Sequence, residues 1–431
     1  SRGAFVFVAA MGLSGCMSDG ANEGGLVSRF KSQPSTPALR KREKEASQSI
    51  IISTLQARRS SLPSGSSFDR VATAVLAANS RAAEADLRSA RLRAEAQSKN
   101  WLPSIGPNIS LSSLGAVVAS LIVEQVLFDN GRKKAERDFA AADVEVAAVN
   151  LAEDTNARVK TALGLYLKAE EAREKASLAQ SSLKDMGHFE WIMSERVKGG
   201  ISDVSELNIM RQKLAEIRST LARESEIANT AIAELNAMSV QSLSGVRGLS
   251  DVRVNINDAQ ALTVLKADAE KTRDIASAKA ERAGYLPGLK AVGTVGKGAS
   301  GVGLQVSSDK MIGLGTGASL KAIEATKDAA SRRVGQAVED SNRSLRAKEQ
   351  RLKALSRQVG EASGLTTQAK ANLDIFQEQY DSGQRQVMDV VGVYETYARQ
   401  AEAQIALKYE MAQTRIDIAN ELGFLADGND I

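Results

Sequence analysis

Gly200-Ile201-Ser202-Asp203-Val204-Ser205-Glu206 and Gly383-Gln384-Arg385-Gln386-Val387-Met388-Asp389 share their Gly, Val and acidic positions and lie 183 residues apart. A second pair of landmarks, Trp101-Leu102-Pro103 and Tyr285-Leu286-Pro287, recurs at an offset of 184. Two landmarks at nearly one spacing mark a duplicated unit. Each copy reads in the same order: a helix, a Leu-Pro stop, a Gly/Ser/Val-rich segment, a very long helix, a Gly-containing break and another long helix.

The helical parts carry a coiled-coil period. Leu352, Leu355, Val359, Ala362, Thr366, Ala369, Leu373, Phe376 and Tyr380 step by alternating threes and fours, and Leu207, Met210, Leu214, Ile217 and Leu221 do the same in the first copy. An uninterrupted helix from about Arg132 to Arg196 extends roughly 100 Å. Such a rod must lie beside other rods, and the Ala and Thr in the seam favour close approach of the backbones.

Between the helices, Ser104 to Phe128 and Gly288 to Gly317 are poor in helix formers. Ile109 and Leu111 alternate with Asn108, Ser110 and Ser112, and Val302, Leu304 and Val306 alternate with Gly303, Gln305 and Ser307. A period of two suits strands with one apolar face. Breaks at Leu114-Gly115 and around Gly296 to Gly301 divide each segment into two strands of about ten residues, the length that crosses a bilayer when tilted. The second strand, Ala116 to Phe128, alternates poorly and contains Glu124. Four strands cannot close a barrel, and an open edge in lipid leaves backbone groups unpaired at several kcal/mol each. Closure therefore requires further subunits.

Composition agrees with elongation. The 431 residues hold only 4% aromatics and 6 prolines, with 25% charged residues. Lys+Arg 56 against Asp+Glu 52 gives a net charge of +4, with both signs interspersed, so no basic face for nucleic acid is present. One cysteine, Cys16, and one histidine, His188, exclude an intramolecular disulfide and a Cys/His metal cluster. His188 beside Trp191 reads as a helix-surface pair. The chain carries no Walker loop and no nucleophile–base pairing, so neither an enzyme nor a cofactor is expected.

At the amino terminus, Ala4 to Leu13 is apolar but too short to span a bilayer permanently, and reads as a secretory signal. Leu13-Ser14-Gly15-Cys16 resembles a bacterial lipobox, in which Cys16 receives a lipid and begins the mature protein. Met17 after it favours outer-membrane sorting, by resemblance to enteric lipoproteins. Ser18 to about Ser67, rich in Ser, Gly, Pro and Lys/Arg, reads as a tether with at most one short helix.

Taken in order, Trp101-Leu102-Pro103-Ser104, Leu127-Phe128-Asp129-Asn130-Gly131-Arg132, the run Tyr380-Asp381-Ser382-Gly383-Gln384-Arg385-Gln386-Val387-Met388-Asp389-Val390-Val391 and a terminal Leu422-Gly423 resemble the TolC family of outer-membrane efflux and secretion proteins, over nearly all of the chain after about residue 67. The resemblance implies a mostly α fold with membrane β: a long α-helical coiled-coil barrel, plus four β-strands per protomer in a trimeric 12-stranded outer-membrane β-barrel. It implies a homotrimer, a periplasmic adaptor (membrane fusion) protein, an inner-membrane RND or ABC transporter and outer-membrane lipid as partners. It also assigns roles at the periplasmic tip. Tyr380 and Arg385 match positions that tie the inner hairpin to the outer one, with Ser205 and Glu206 as their partners. Asp389 matches a ring at the constriction that favours cations, and Gly392 stands where a second acid is often found, which implies a weaker ring. Gly200 and Gly383 mark the turns an adaptor would meet.

The expected organisation is a signal at 1–15, a lipidated tether at 16–66, one repeat at 67–240, a linker at 241–258, the second repeat at 259–425 and a tail at 426–431. The expected function is a passive exit duct of a tripartite efflux pump or type I secretion system. A periplasmic coiled-coil adaptor or scaffold lipoprotein is the competing reading, although an adaptor usually has one hairpin where this chain has two.

Overall fold

The computed structural model describes residues 49–78, 82–111, 117–296 and 300–430. Cys16, the signal segment and the tether up to residue 48 lie outside them, as do the strand-to-strand breaks at 112–116 and 297–299.

In chain order the elements are α1 (Ile50–Gln56), α2 (Ser67–Ala77), α3 (Ala82–Ser98), β1 (Ser104–Leu111), β2 (Val117–Phe128), α4 (Arg132–Lys198), α5 (Val204–Ala237), α6 (Leu262–Ala283), β3 (Gly288–Gly296), β4 (Gly301–Ser307), α7 (Thr316–Asp381) and α8 (Val387–Glu421), followed by a 3-10 turn at Gly428–Asp430. The long rods α4 and α7 contain 67 and 66 residues, matching the expected uninterrupted helix to within two residues at its end.

The helices lie side by side in rows. On the strand side of the protein the order is α3, α4, α6, α7; on the far side it is α5, α4, α8, α7. The rods α4 and α7 run through both rows. The sheet repeats the first row, with antiparallel order β1-β2-β3-β4, because β1 and β3 follow α3 and α6 while β2 and β4 lead into α4 and α7. Each strand thus prolongs the line of its helix.

The helix seams pack as their period requires. Leu355, Ala362, Ala369 and Leu373 are buried and Leu352, Val359, Thr366, Phe376 and Tyr380 half-buried, while Leu207, Met210 and Leu214 are buried on α5. One apolar cluster joins α2, α4, α5 and α8 around Phe68, Tyr166, Leu235 and Ile416. Another, near the hairpin turns, joins Met186, Phe189, Leu207, Met210, Leu373, Val390 and Tyr394.

The Asp129-Asn130-Gly131 corner has a local cause. The Asp129 carboxylate accepts from Gly131 N (3.0 Å) and Lys133 N (2.6 Å), capping α4. Asn130, at φ 54°, is a residue type that tolerates the left-handed region. Its side-chain amide donates to the carbonyl of Pro287 at 2.9 Å, which fastens the exit of one repeat to the Leu-Pro stop of the other.

The composition of a tether extends too far. Residues 49–66 are packed: Ile51, Ile52, Leu55 and Leu62 are buried, Ser61 N donates to Phe424 O (2.8 Å), and Gly428 N donates to Arg58 O (3.1 Å). Ile51, Ile52 and Leu55 dock this segment into an apolar cluster with α3, α4 and α6, while Arg58 and Ser61 bond the carbonyls of Leu422 and Phe424 at the end of α8.

Candidate functional site: the sheet and the hairpin tips

Register sorts the sheet into two chemically different faces. Ile105, Pro107 and Ile109 pair with Val123, Leu121 and Ala119, and Leu121, Val123 and Gln125 pair with Val295, Gly293 and Ala291. On β4, Val302, Leu304 and Val306 oppose Gly293, Ala291 and Leu289. One face is therefore apolar apart from Gln125, and Ile105, Ile109, Val302, Leu304 and Val306 on it are each at least 68% exposed. The opposite face carries Ser104, Asn108, Ser120, Glu124, Lys290, Thr294, Gln305 and Ser307, interspersed with Ile122, Val126 and Val292.

β2 alternates irregularly because Ile122 and Val126 stand on the polar face and Gln125 on the apolar one, and because its register shifts near its end. A bulge between Val126 and Phe128 shifts the register, so that Phe128 meets Leu289. Glu124, meanwhile, sits on the polar face, where Lys290 Nζ lies 3.0 Å from its Oε1. Lys290 also lies 3.8 Å from Asp309, and Asp309 pairs with Arg132 at the base of α4, so the charges where sheet meets helix are mutually compensated.

At the far end, the two turns are one structure used twice. Ile201 N donates to Arg196 O (2.8 Å) and Gly200 N to Val197 O (3.0 Å); Gln384 N donates to Gln379 O (2.7 Å) and Gly383 N to Tyr380 O (2.9 Å). This double closure of a helix end needs a left-handed residue, and Gly200 and Gly383 supply φ of 73° and 75°. The following helices begin with matched caps. Asp203 accepts from Ser205 N (2.9 Å), and Gln386 with Asp389 forms a reciprocal capping box, Gln386 N donating to Asp389 Oδ2 at 3.4 Å.

The remaining tip residues divide unequally. Tyr380 packs edge-on against Phe189 of α4, with ring centroids 5.9 Å apart, and so does touch the other hairpin. Arg385 stays within its own hairpin: Nε donates to Gln379 Oε1 (2.9 Å) and the guanidinium lies 4.5 Å from the Phe376 ring centre. Ser205 and Asp389 are exposed and Glu206 half-buried in the first turns of α5 and α8. Among the described residues of one protomer, no hydrogen bond or ion pair joins Ser205 or Glu206 to Tyr380 or Arg385. His188 and Trp191 form a stacked pair, 6.4 Å between centroids, with Trp191 60% exposed.

One residue that sequence reasoning passed over ties the hairpins by hydrogen bonds. Tyr394 of α8 is buried, and its hydroxyl lies 3.2 Å from both Ser182 Oγ and Asp185 Oδ2 of α4. Burial first, reinforced by the Asp185 carboxylate, pushes its pKa up to about 12, so it remains a donor at neutral pH. Tyr394 falls on an apolar helix face, where an aromatic residue gives no periodicity signal of its own.

Long paired rods continued by an open four-stranded sheet with one apolar face are the fold shared with solved outer-membrane channels. The chain has that TolC-type fold. It superimposes on the outer membrane protein VceC of Vibrio cholerae with a TM-score of 0.72 at 13% identity, over 83% of this chain and 96% of that one. The CmeC outer membrane channel of Campylobacter jejuni gives 0.66 at 13% identity, over 96% and 94%. The open state of the MtrE outer membrane channel of Neisseria gonorrhoeae gives 0.70 at 16%, over 84% and 90%. The chain matches no family profile and no curated protein by sequence.

Proposed function

We propose that this protein is the outer-membrane exit duct of a tripartite efflux pump or type I secretion system, built as a homotrimer and anchored by a lipid on Cys16. The single observation that carries the reading is the four-stranded sheet with an apolar face and two unpaired edges, β1 and β4. In lipid those edges need partners. An even number of strands per copy lets β4 of one protomer meet β1 of the next in the same antiparallel sense, so identical copies close without a seam. Three copies, the number the family resemblance implies, make a barrel of twelve strands, polar within and apolar without.

The duct is passive, with energy supplied by an inner-membrane RND or ABC transporter and coupling by a periplasmic adaptor that meets the turns at Gly200 and Gly383. Opening separates the inner hairpin, α7–α8, from the outer one, α4–α5; Tyr380, Ser205 and Glu206 belong to that gate, while Arg385 braces the turn of the hairpin that moves. Asp389 supplies the cation-favouring ring. Its exposed carboxylate at the start of α8 supports that role, and its capping bond to Gln386 holds it in place.

Detergent-extracted protein should run as a trimer and form cation-preferring channels in planar bilayers, with a reversal potential that moves toward zero in Asp389→Ala. A monomer without conductance refutes the duct; an unaltered reversal potential in the variant refutes the ring alone.

A further inference from the structure

The polar ties between the hairpins, followed upward from the turns, begin later than the tip. Arg385 is engaged by Gln379 and Phe376 of its own hairpin, and Asp389 by the N-terminus of its own helix. Tyr380 crosses to α4 by ring contact only. The first side-chain hydrogen bonds that cross are those of Tyr394 to Ser182 and Asp185, and beside them Lys213 of α5 lies 3.1 Å from Glu395. The next crossing ties come about twenty ångströms farther along α8, where Lys408 and Tyr409 both bond Glu174.

The chemistry at Tyr394 favours a discrete clasp. Ser182 spends its own proton on the carbonyl of Leu178 (3.0 Å), leaving its oxygen as an acceptor. The single Tyr394 proton is thus shared between that oxygen and the Asp185 carboxylate, the stronger acceptor of the two. Tyr394 and Ser182 are 3% and 4% exposed, so neither oxygen is readily satisfied by water while the helices are together. Only Val387 to Val393, about two turns, lie between the clasp and the turn.

We propose that Tyr394 with Ser182 and Asp185, flanked by Glu395 with Lys213, is the clasp that holds α8 on the outer hairpin and lets go when the tip opens. This deepens the duct reading and rests on it. Tyr394 is a positioning residue of the gate; Arg385 stabilises the turn of its own hairpin and is carried along.

The test uses the full-length protein in detergent and in planar bilayers, with Tyr394→Phe, Glu395→Gln, the two together, Ser182→Ala with Asp185→Asn from the opposite side, and Arg385→Ser. Phe keeps the ring in the apolar cluster, so loss of the hydroxyl is the only change. Amide exchange over 387–400 should quicken roughly tenfold in Tyr394→Phe and again in the double variant, with residues 405–418 unchanged. Single-channel conductance should rise in the same order, the α4-side pair should reproduce Tyr394→Phe, and Arg385→Ser should leave exchange over 391–400 as in the wild type. Unchanged exchange in Tyr394→Phe overturns the clasp, and so does quickened exchange without a conductance change. A wild-type protein that conducts nothing refutes the duct instead, and the exchange measurement still decides whether the clasp exists.

Discussion

Replacing Gly423 with Ala should damage this protein far more than the same change at Gly383, although both glycines close a helix in the left-handed region. Gly423 has φ 69° and Gly383 φ 75°, so each substitution carries a backbone penalty of about 1–2 kcal/mol. At Gly383 a Cβ would have nothing within 4 Å. At Gly423 it would stand 2.5 Å from Arg58 Nη1 and 3.0 Å from Leu262. Arg58 is 5% exposed, with Nη1 donating to Leu422 O (2.6 Å) and Nη2 to Gln260 O (2.7 Å), so the new methyl must push the guanidinium off the end of α8. A charged hydrogen bond of this kind contributes roughly 1.5–3 kcal/mol, which brings Gly423→Ala to about 3–5 kcal/mol. The excess over Gly383→Ala corresponds to roughly a ten- to hundredfold change in local opening. Amide exchange at Ser61 and Gly428, whose N–H groups bond Phe424 O and Arg58 O, reads that opening directly. Equal exchange at these amides in the two variants would show that Arg58 is not clamping the joint.

Two further expectations concern the sheet and the tyrosines. Leu304→Arg on the apolar face should oppose folding into vesicles by about 2–4 kcal/mol if that face meets lipid at mid-depth, whereas Thr294→Arg on the polar face should be tolerated; equal defects would contradict the assignment of faces. Burial, the largest cause in each case, pushes Tyr166 and Tyr394 up to about 12, and Tyr409 is raised further still, with Glu174 adding to burial. The folded protein keeps these protons where the unfolded chain releases them, so the stability they contribute is complete below pH 10 and is lost as pH climbs through 12. Tyrosinate absorbance should show part of the 6 tyrosines titrating late and together with unfolding; a single transition near pH 10 in folded protein would contradict it.

Features legible in the sequence are those a periodic pattern fixes locally. The duplication located both turns, and the structure gives them the same hydrogen bonds 183 residues apart. The seam from Leu352 to Tyr380 identified the buried face of α7 because a helix places residues three and four apart on one side. Period-two alternation found β1 and β4, and failed on β2, where Ile122 and Val126 stand on the polar face, Gln125 on the apolar one, and a bulge set against the neighbouring strand shifts the register. The two turns were legible by position, but the partners of their side chains were not. Whether Arg385 reaches across to the other hairpin or folds back onto Gln379 depends on how two helix pairs are rotated against each other, and no spacing within one helix carries that angle. Tyr394 was missed for the same reason.

The two repeats match in order and spacing, yet their rods live in different surroundings, and the row order explains why. α4 has a neighbour on each side in both rows, and 24 of its 67 residues are buried. α7 is the end member of both rows, and only 8 of its 66 residues are buried, with Leu365 and Ile375 each 50% exposed. Duplication therefore shelters the rod of one repeat and leaves that of the other at an edge. A third repeat in the same chain would only move that edge outward. In the homotrimer proposed above, a ring of identical chains would remove it, because the bare side of α7 would be set against α3 and α5 of the next copy by the same displacement that sets β4 against β1. Helical rows and sheet end on the same two sides of the protomer, at α3/α5 with β1 and at α7 with β4, so in that proposed ring a single rotation satisfies both.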